Sequence, residues 1–257
     1  MLIVINFYSC EENSDAVIDP SISSPLISGQ FQSADTIYTN SGSPSIVFYT
    51  SVFAESNGGE PIVNVSMNIN DPDGNDLAVI NLIDNGVLPD TVSGDGIYSA
   101  VVLIDNISCL LVGTYPLEYL AVNQSGLNSN LITSSIYTAN SANLPPVIQS
   151  TSLPDSVIRP FAGDSTLLTI SVNVSDSDGL CDLKEVTFVT VRPNGVILPA
   201  IPMSNNGNGQ FLFSNYVSFS SDPTSYGYFK YTFTARDRSN VLSSPVTDSI
   251  KFVQPVK

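Results

Sequence analysis

Two segments, SIVFYTSVF at residues 45–53 and TLLTISVNV at residues 166–174, decide the fold of this chain. Both follow the two-residue period of a β-strand, in which alternate side chains face a core. They lie 121 residues apart, and the same offset aligns VSMNINDPDG (65–74) with VTFVTVRPNG (186–195). The offset holds without a gap for about 60 residues, which indicates an internal repeat.

After residue 86 the offset becomes smaller, since GDGIYSA (94–100) aligns with GNGQFLF (207–213). The first copy therefore carries about eight extra residues, which fall within 84–95. We predict a tether at residues 1–24, a first domain at 25–142 and a second domain at 143–257.

The sequence predicts about seven short strands in each copy, separated by tight turns such as PDG at 72–74 and PNG at 193–195. This pattern, with the D-x-D-G and GDGIYSA elements, resembles the broad bacterial immunoglobulin-like and fibronectin type III-like group. The Cys-Trp-Cys core of antibody domains is missing. The resemblance implies an all-β chain made of two tandem immunoglobulin-like β-sandwich domains.

The composition excludes several kinds of chemistry. The chain has no His, so a Ser-His-Asp triad and a His-ligated zinc site are excluded. The absence of Trp disfavours a sugar platform, although Tyr could take its place. Residues 1–145 hold 15 Asp and Glu but no Lys or Arg. Nucleic acid and anionic lipid headgroups are therefore not expected partners. These carboxylates must be solvated, hydrogen-bonded to backbone or neutralised by a cation.

The extra residues of the first copy lie in DNGVLPDTVSGDGIYSA (84–100), a Gly-rich loop that leads into a strand. Calcium takes six to eight oxygen ligands from carboxylates, carbonyls and water. The loop offers three carboxylates, from Asp84, Asp90 and Asp95. The second copy has amides at two of these places, so we expect any calcium site of this loop to belong to the first domain only.

Two more acidic sets occur on turns. DSDGLCD contains Asp176, Asp178 and Asp182, and its D-x-D-G spacing resembles a calcium loop without the remaining ligands of an EF-hand. NDPDGND contains Asp71, Asp73 and Asp76, which turn chemistry alone explains. We therefore predict calcium as a ligand, at Asp84, Asp90 and Asp95 and at Asp176, Asp178 and Asp182.

The N-terminus, MLIVINFYSCEENSD, places an apolar segment before Ser9-Cys10. It resembles the end of a bacterial lipoprotein signal peptide, in which the cysteine receives the lipid. The segment is short and lacks basic residues, which a start codon upstream of Met1 would explain. The resemblance implies lipidation of Cys10 and a membrane anchor. It also implies export to the cell envelope, at the outer membrane or the cell surface.

We expect no enzyme activity, because no phosphate loop, nucleophile elbow or Cys/His metal cluster is present. The leading hypothesis is a lipid-anchored envelope protein with a structural, adhesive or spacer role. The alternative is an accessory lipoprotein that binds a glycan or peptide, with Tyr216, Tyr226 and Tyr228 as a platform. Cys109 and Cys181 are expected to be buried free thiols, although an inter-domain disulfide stays open.

Overall fold

The computed structural model describes residues 23–39, 45–105 and 111–255. The first copy contains eight strands: β1 (Leu26–Gln32), β2 (Thr36–Thr39), β3 (Ile46–Glu55), β4 (Ile62–Asn70), β5 (Asp76–Leu82), β6 (Ile97–Ile104), β7 (Gly113–Asn123) and β8 (Ile132–Asn140). The second copy contains nine: β9 (Val147–Ser152), β10 (Ser156–Ile158), β11 (Ser165–Ser175), β12 (Leu183–Val191), β13 (Ile201–Pro202), β14 (Ser204–Asn205), β15 (Gln210–Ser218), β16 (Gly227–Asp237) and β17 (Val246–Val253). A single 3₁₀ turn, Pro223–Ser225, is the one helical element of the described ranges.

Each copy folds into two sheets that face each other across a core. In the first copy the strand orders are β1-β3-β6 and β2-β8-β7-β4-β5. In the second copy they are β14-β15-β11-β9 and β10-β17-β16-β12-β13. The chain is thus nearly all β, and it forms two tandem immunoglobulin-like β-sandwich domains as the sequence predicted.

The first segment of each copy divides between the two sheets. β1 pairs antiparallel with β3, and the chain then crosses to pair β2 in parallel with β8. β9 and β10 repeat this crossing through β11 and β17. The predicted number of about seven strands per copy was therefore slightly low, because this division and the two-residue strands β13 and β14 carry no periodic signal.

The alternation of the opening segments fixes which side chains form the cores. In β3 the residues Ile46, Phe48 and Val52 point inward, and in β11 Ile170 and Val172 do the same. The aromatic strands pack on the facing sheets. Their buried side chains are Tyr115, Leu117, Tyr119 and Ala121 in β7, and Phe229, Tyr231, Phe233 and Ala235 in β16.

No helix long and apolar enough to cross a membrane occurs within the part of the chain that the structure describes.

Truncation of a central core ring tests the second sandwich. Phe233 is fully buried against Phe188 and Tyr231, so Phe233→Ala should lower the free energy of unfolding of this domain by about 3–5 kcal/mol. Chemical denaturation followed by tyrosine fluorescence measures the change. Tyr228→Ala on the same strand is the control, because that ring is 63% exposed and its loss should change stability by about 0.5 kcal/mol or less. Equal effects of the two substitutions would contradict the assigned register.

Candidate functional site

The loop of residues 84–95 brings its three predicted carboxylates together. One oxygen from each of Asp84, Asp90 and Asp95 lies within 4.8 Å of the others. The backbone already supplies hydrogen-bond donors to them. Asp84 accepts from the amides of Gly94 and Gly96 through its two oxygens. This carboxylate therefore holds the distal end of the loop.

The other two carboxylates act in the same way. Asp90, which is buried, accepts hydrogen bonds from the amides of Gly86 and Val92, and Asp95 accepts one from the amide of Ile97. The bond from the Gly86 amide is the main reason that the pKa of Asp90 lies below its ordinary value, and the Val92 amide adds to it. Hydrogen bonds from backbone amides thus stabilise the carboxylates of this acidic loop.

A glycine follows the central Asp or Asn of this element in both copies for a steric reason. Gly96 has φ of +85°, and a Cβ there would lie 2.8 Å from the Phe53 ring. Gly209 has φ of +75°, and a Cβ there would lie 2.2 Å from the Val174 carbonyl oxygen. Each glycine allows the chain to pass close to the neighbouring strand, which explains the GDG and GNG sequences without a ligand.

The third acidic set has a role that its sequence did not show. Asp71 accepts hydrogen bonds from the Asp73 and Asn75 amides, as expected of a turn. Asp73 instead reaches the other domain. Its two oxygens accept from Nη1 and Nη2 of Arg238, at 3.0 and 2.7 Å. The Arg238 Nε donates to the Cys181 carbonyl at 2.9 Å, so this guanidinium joins the β4–β5 turn to two loops of the second domain.

The cluster Asp176, Asp178 and Asp182 lies in the β11–β12 loop beside this ion pair. One carboxylate oxygen from each lies within 4.8 Å of the others. Asp182 is only 5% exposed, and both of its carboxylate oxygens are buried without a hydrogen-bond partner. Asp176 accepts from the Asp178 amide at 2.8 Å through Oδ1, while its Oδ2 is buried and has no partner.

Two further residues belong to this cluster, and the sequence analysis missed both. Asp237, at the end of β16, is completely buried and accepts from the Val241 amide and from Nδ2 of Asn143, each at 2.7 Å. The Oδ1 of Asn143 is buried without a donor. The neighbouring linker amide, from Leu144, donates to Asp178 Oδ2 at 2.7 Å. We call Asp176, Asp178, Asp182, Asp237 and Asn143 the junction cluster.

Burial and mutual repulsion dominate the electrostatics of the junction cluster. Burial is the largest cause, and the charge of Asp237 the second, of a rise in the pKa of Asp182 to about 6. Burial also raises the pKa of Asp176, against a hydrogen bond from the Asp178 amide that lowers it. The ion pairs of the described residues are Arg236–Glu185 and Arg238–Asp73, so none of them neutralises the cluster.

The first domain contains a neutral version of the same junction. Asn123, at the end of β7, is buried and aligns with Asp237 in the repeat. Its Oδ1 accepts from the Leu127 amide, as Asp237 does from Val241. Its Nδ2 donates to the Ser23 carbonyl of the preceding segment at 3.1 Å. An amide therefore suffices to cap this strand end in the first copy.

One thiol expectation was wrong. Cys181 is disulfide-bonded, and its partner lies outside the described residues. The other two cysteines of the sequence, Cys10 and Cys109, both precede the second domain. The bond therefore links this domain to an earlier part of the chain. Cys10 itself, the predicted lipidation site, lies outside the described residues, so its modification stays a prediction.

The three tyrosines of the predicted platform do not share one surface. Tyr216 lies on β15 and Tyr228 on β16, which belong to opposite sheets. The Tyr226 hydroxyl donates to the Ser220 carbonyl at 2.6 Å, and the Arg159 guanidinium lies over its ring. The Lys251 ammonium lies over the Tyr228 ring at 5.6 Å. These contacts are structural, as is usual for strand aromatics.

The sequence matches no protein-family model, and no curated protein is significantly similar to it. Among solved structures, this chain matches the fibronectin(III)-like modules of CbhA from Clostridium thermocellum. The identity is 16%, the TM-score is 0.30, and the match covers 88% of this chain and 95% of that one. A PKD domain of an M14-like peptidase from a Thermoplasmatales archaeon has 18% identity, a TM-score of 0.27, and coverage of 43% and 98%. A DUF4785 family protein from Legionella pneumophila has 10% identity, a TM-score of 0.31, and coverage of 86% and 56%.

Removal of the Asp84 carboxylate tests the structural role of the loop of residues 84–95. Asp84→Ala leaves the Gly94 and Gly96 amides without their acceptor, so stability should fall by about 1–2 kcal/mol. Asp95→Ala is the matched control, since Asp95 is exposed and accepts one bond, and it should cost about half as much or less. Urea denaturation in the presence of EDTA measures both values. An Asp84→Ala variant as stable as the parent would show that the loop does not depend on these bonds.

Proposed function

We propose that this chain is a non-catalytic, lipid-anchored module of the bacterial cell envelope with a structural, adhesive or spacer role. The observation that carries the proposal is the contact between the two sandwich domains. A spacer must transmit position along its length, and two domains on a free linker do not.

The described residues form this contact through one ion pair between the domains and two hydrogen bonds from the linker. The Arg238 guanidinium pairs with Asp73 through two parallel hydrogen bonds, a geometry that fixes orientation as well as distance. The Asn143 side chain and the Leu144 amide then tie the linker to the second domain. The linker between β8 and β9 is thus held to the loops of the second domain.

An adhesive role is supported by an apolar face on the first domain. The outer side of the β1-β3-β6 sheet presents paired apolar side chains, Val47 opposite Leu103 and Tyr49 opposite Val101. All four are exposed, at 47–56% of their full areas. Contiguous exposed apolar surface of this kind is typical of a protein contact. A protein partner therefore fits the first domain better than a nucleic acid or an anionic headgroup.

The double-mutant cycle of Arg238→Gln and Asp73→Asn tests the docking of the two domains. The Arg238 side chain is 18% exposed and that of Asp73 is 48% exposed, so the pair is partly screened by solvent. We expect a coupling free energy of about 0.5–1 kcal/mol, measured by chemical denaturation of the four proteins. The intradomain pair Arg236–Glu185, exposed at both ends, is the comparison and should give less. A coupling of zero for Arg238 and Asp73 would contradict a docked pair of domains.

The anchor is tested in cells. With the reading frame upstream of Met1 included, the protein should incorporate labelled palmitate and sediment with membranes, while the Cys10→Ala variant should do neither. Metabolic labelling followed by fractionation gives the result. Ser9→Ala is the control, because a small residue before the cysteine is retained and lipidation should persist. A Cys10→Ala variant that remains labelled and membrane-bound would remove the lipid anchor from the proposal.

A further inference from the structure

We propose that the junction cluster binds a calcium ion between the linker and the second domain. The side-chain ligands are one amide and four carboxylates: Asn143, Asp176, Asp178, Asp182 and Asp237. The proposal does not rest on the lipid anchor or on adhesion, since ion binding is measured on the isolated protein.

Asp182 is a buried carboxylate without hydrogen-bond donors, and this favours a bound cation. Its side chain is 95% buried, and neither carboxylate oxygen has a hydrogen-bond donor. One carboxylate oxygen each of Asp176 and Asp178 lies within 4.8 Å of one of its oxygens, and these groups are acceptors as well. A buried carboxylate without any donor is costly unless a cation or a proton compensates it. Proximity alone would not favour a ligand, but two buried, unpaired oxygens beside other acids do.

The orientation of the Asn143 amide also favours a cation. Its Nδ2 donates to Asp237, which leaves its Oδ1 buried and without a donor. The linker thus contributes one more unpaired oxygen to a group of acids. Oδ2 of Asp176 is in the same condition. The unpaired buried atoms of the cluster are therefore all oxygens, which is the arrangement that a hard cation completes.

The first domain shows that the same strand end can be capped without a charge. Asn123 caps the end of β7 as Asp237 caps β16, and the strand end needs no charge there. The first copy also has fewer acids in the preceding loop. Its turn is closed by a bond from the Gly59 amide to the Ser56 carbonyl, whereas the matching bond of the second copy ends on the Asp176 carbonyl. The additional carboxylates of the second copy are not needed for the fold. They are concentrated where the linker enters, which favours a ligand at that place.

The donor set selects the class of ion. It contains only carboxylate and amide oxygens, with no His nitrogen and no thiolate, so zinc and copper are disfavoured. Five oxygen-bearing side chains, together with water, match the six to eight oxygens that calcium takes. Magnesium retains most of its water and rarely uses so many protein ligands.

Bound calcium would connect Asn143 of the linker to loops on both sides of it. Asp182 adjoins Cys181, and Asp237 adjoins Arg238, whose side chain pairs with Asp73 in the first domain. The ion would therefore brace the same loops that carry the inter-domain pair.

The test uses the full-length chain, stripped with EDTA and titrated with calcium chloride by calorimetry and by thermal melting. Because a ligand bound only by the folded state raises its midpoint, 1 mM calcium should raise the melting transition by about 5 °C or more. Magnesium at the same concentration should raise it much less. No shift with calcium would overturn the proposal.

Matched variants locate the ion. Asp237→Asn, which installs the residue that the first copy has, and Asp182→Asn should each melt higher than the parent in EDTA, because a buried charge is removed. Both should lose affinity for calcium by about 10–100-fold. Asp90→Asn in the first domain is the control and should retain the response. A calcium shift that persists in both junction variants, or that Asp90→Asn alone abolishes, would overturn the assignment to this cluster.

Discussion

Two buried carboxylates, Asp182 and Asp237, impose the constraint on which the junction of this protein depends. Asp237 is placed in the interior by the register of β16, since it continues the inward positions that the aromatic residues of that strand begin. Asp182 is placed beside it by the β11–β12 loop. Neither has a basic partner among the described ion pairs, so their charge must be compensated at the place where the linker arrives.

The two copies solve one structural problem in two ways. Both cap the strand end with a side-chain oxygen that accepts from the amide four residues later. The first copy then uses a neutral amide and the second a carboxylate. In the first half, the carboxylates of the loop of residues 84–95 are stabilised by hydrogen bonds from backbone amides. Charge is therefore a property of particular loops, while the sandwich itself depends on alternating apolar side chains.

The architecture could be predicted because alternation and an internal repeat are local or repetitive signals. The gapless offset of 121 was wrong by one residue at β3 and β11, where Ala54 and Val174 correspond because their amides donate to the carbonyls of the glycines in GDG and GNG. The spatial proximity of Asp176, Asp178 and Asp182 was also predictable from their spacing in the sequence. Asp237 and Asn143 were not, because strand pairing and the linker bring them in from distant positions. One signal in the sequence could have indicated that Asp237 is buried. Asp237 continues the inward alternation of Phe233, and it aligns with Asn123 of the first copy. The expectation that Cys181 is a free thiol was wrong, because disulfide formation depends on a geometry that sequence spacing does not encode.

A crystal structure of the full-length chain grown in millimolar calcium is the most direct test of the junction site. We predict an ion in the junction cluster, with oxygens of Asp182, Asp237 and Asn143 at about 2.3–2.6 Å from it. The Arg238–Asp73 pair should be present in the same crystal. Clear density in which these carboxylates bond only to water or to one another, with no ion, would contradict the central claim.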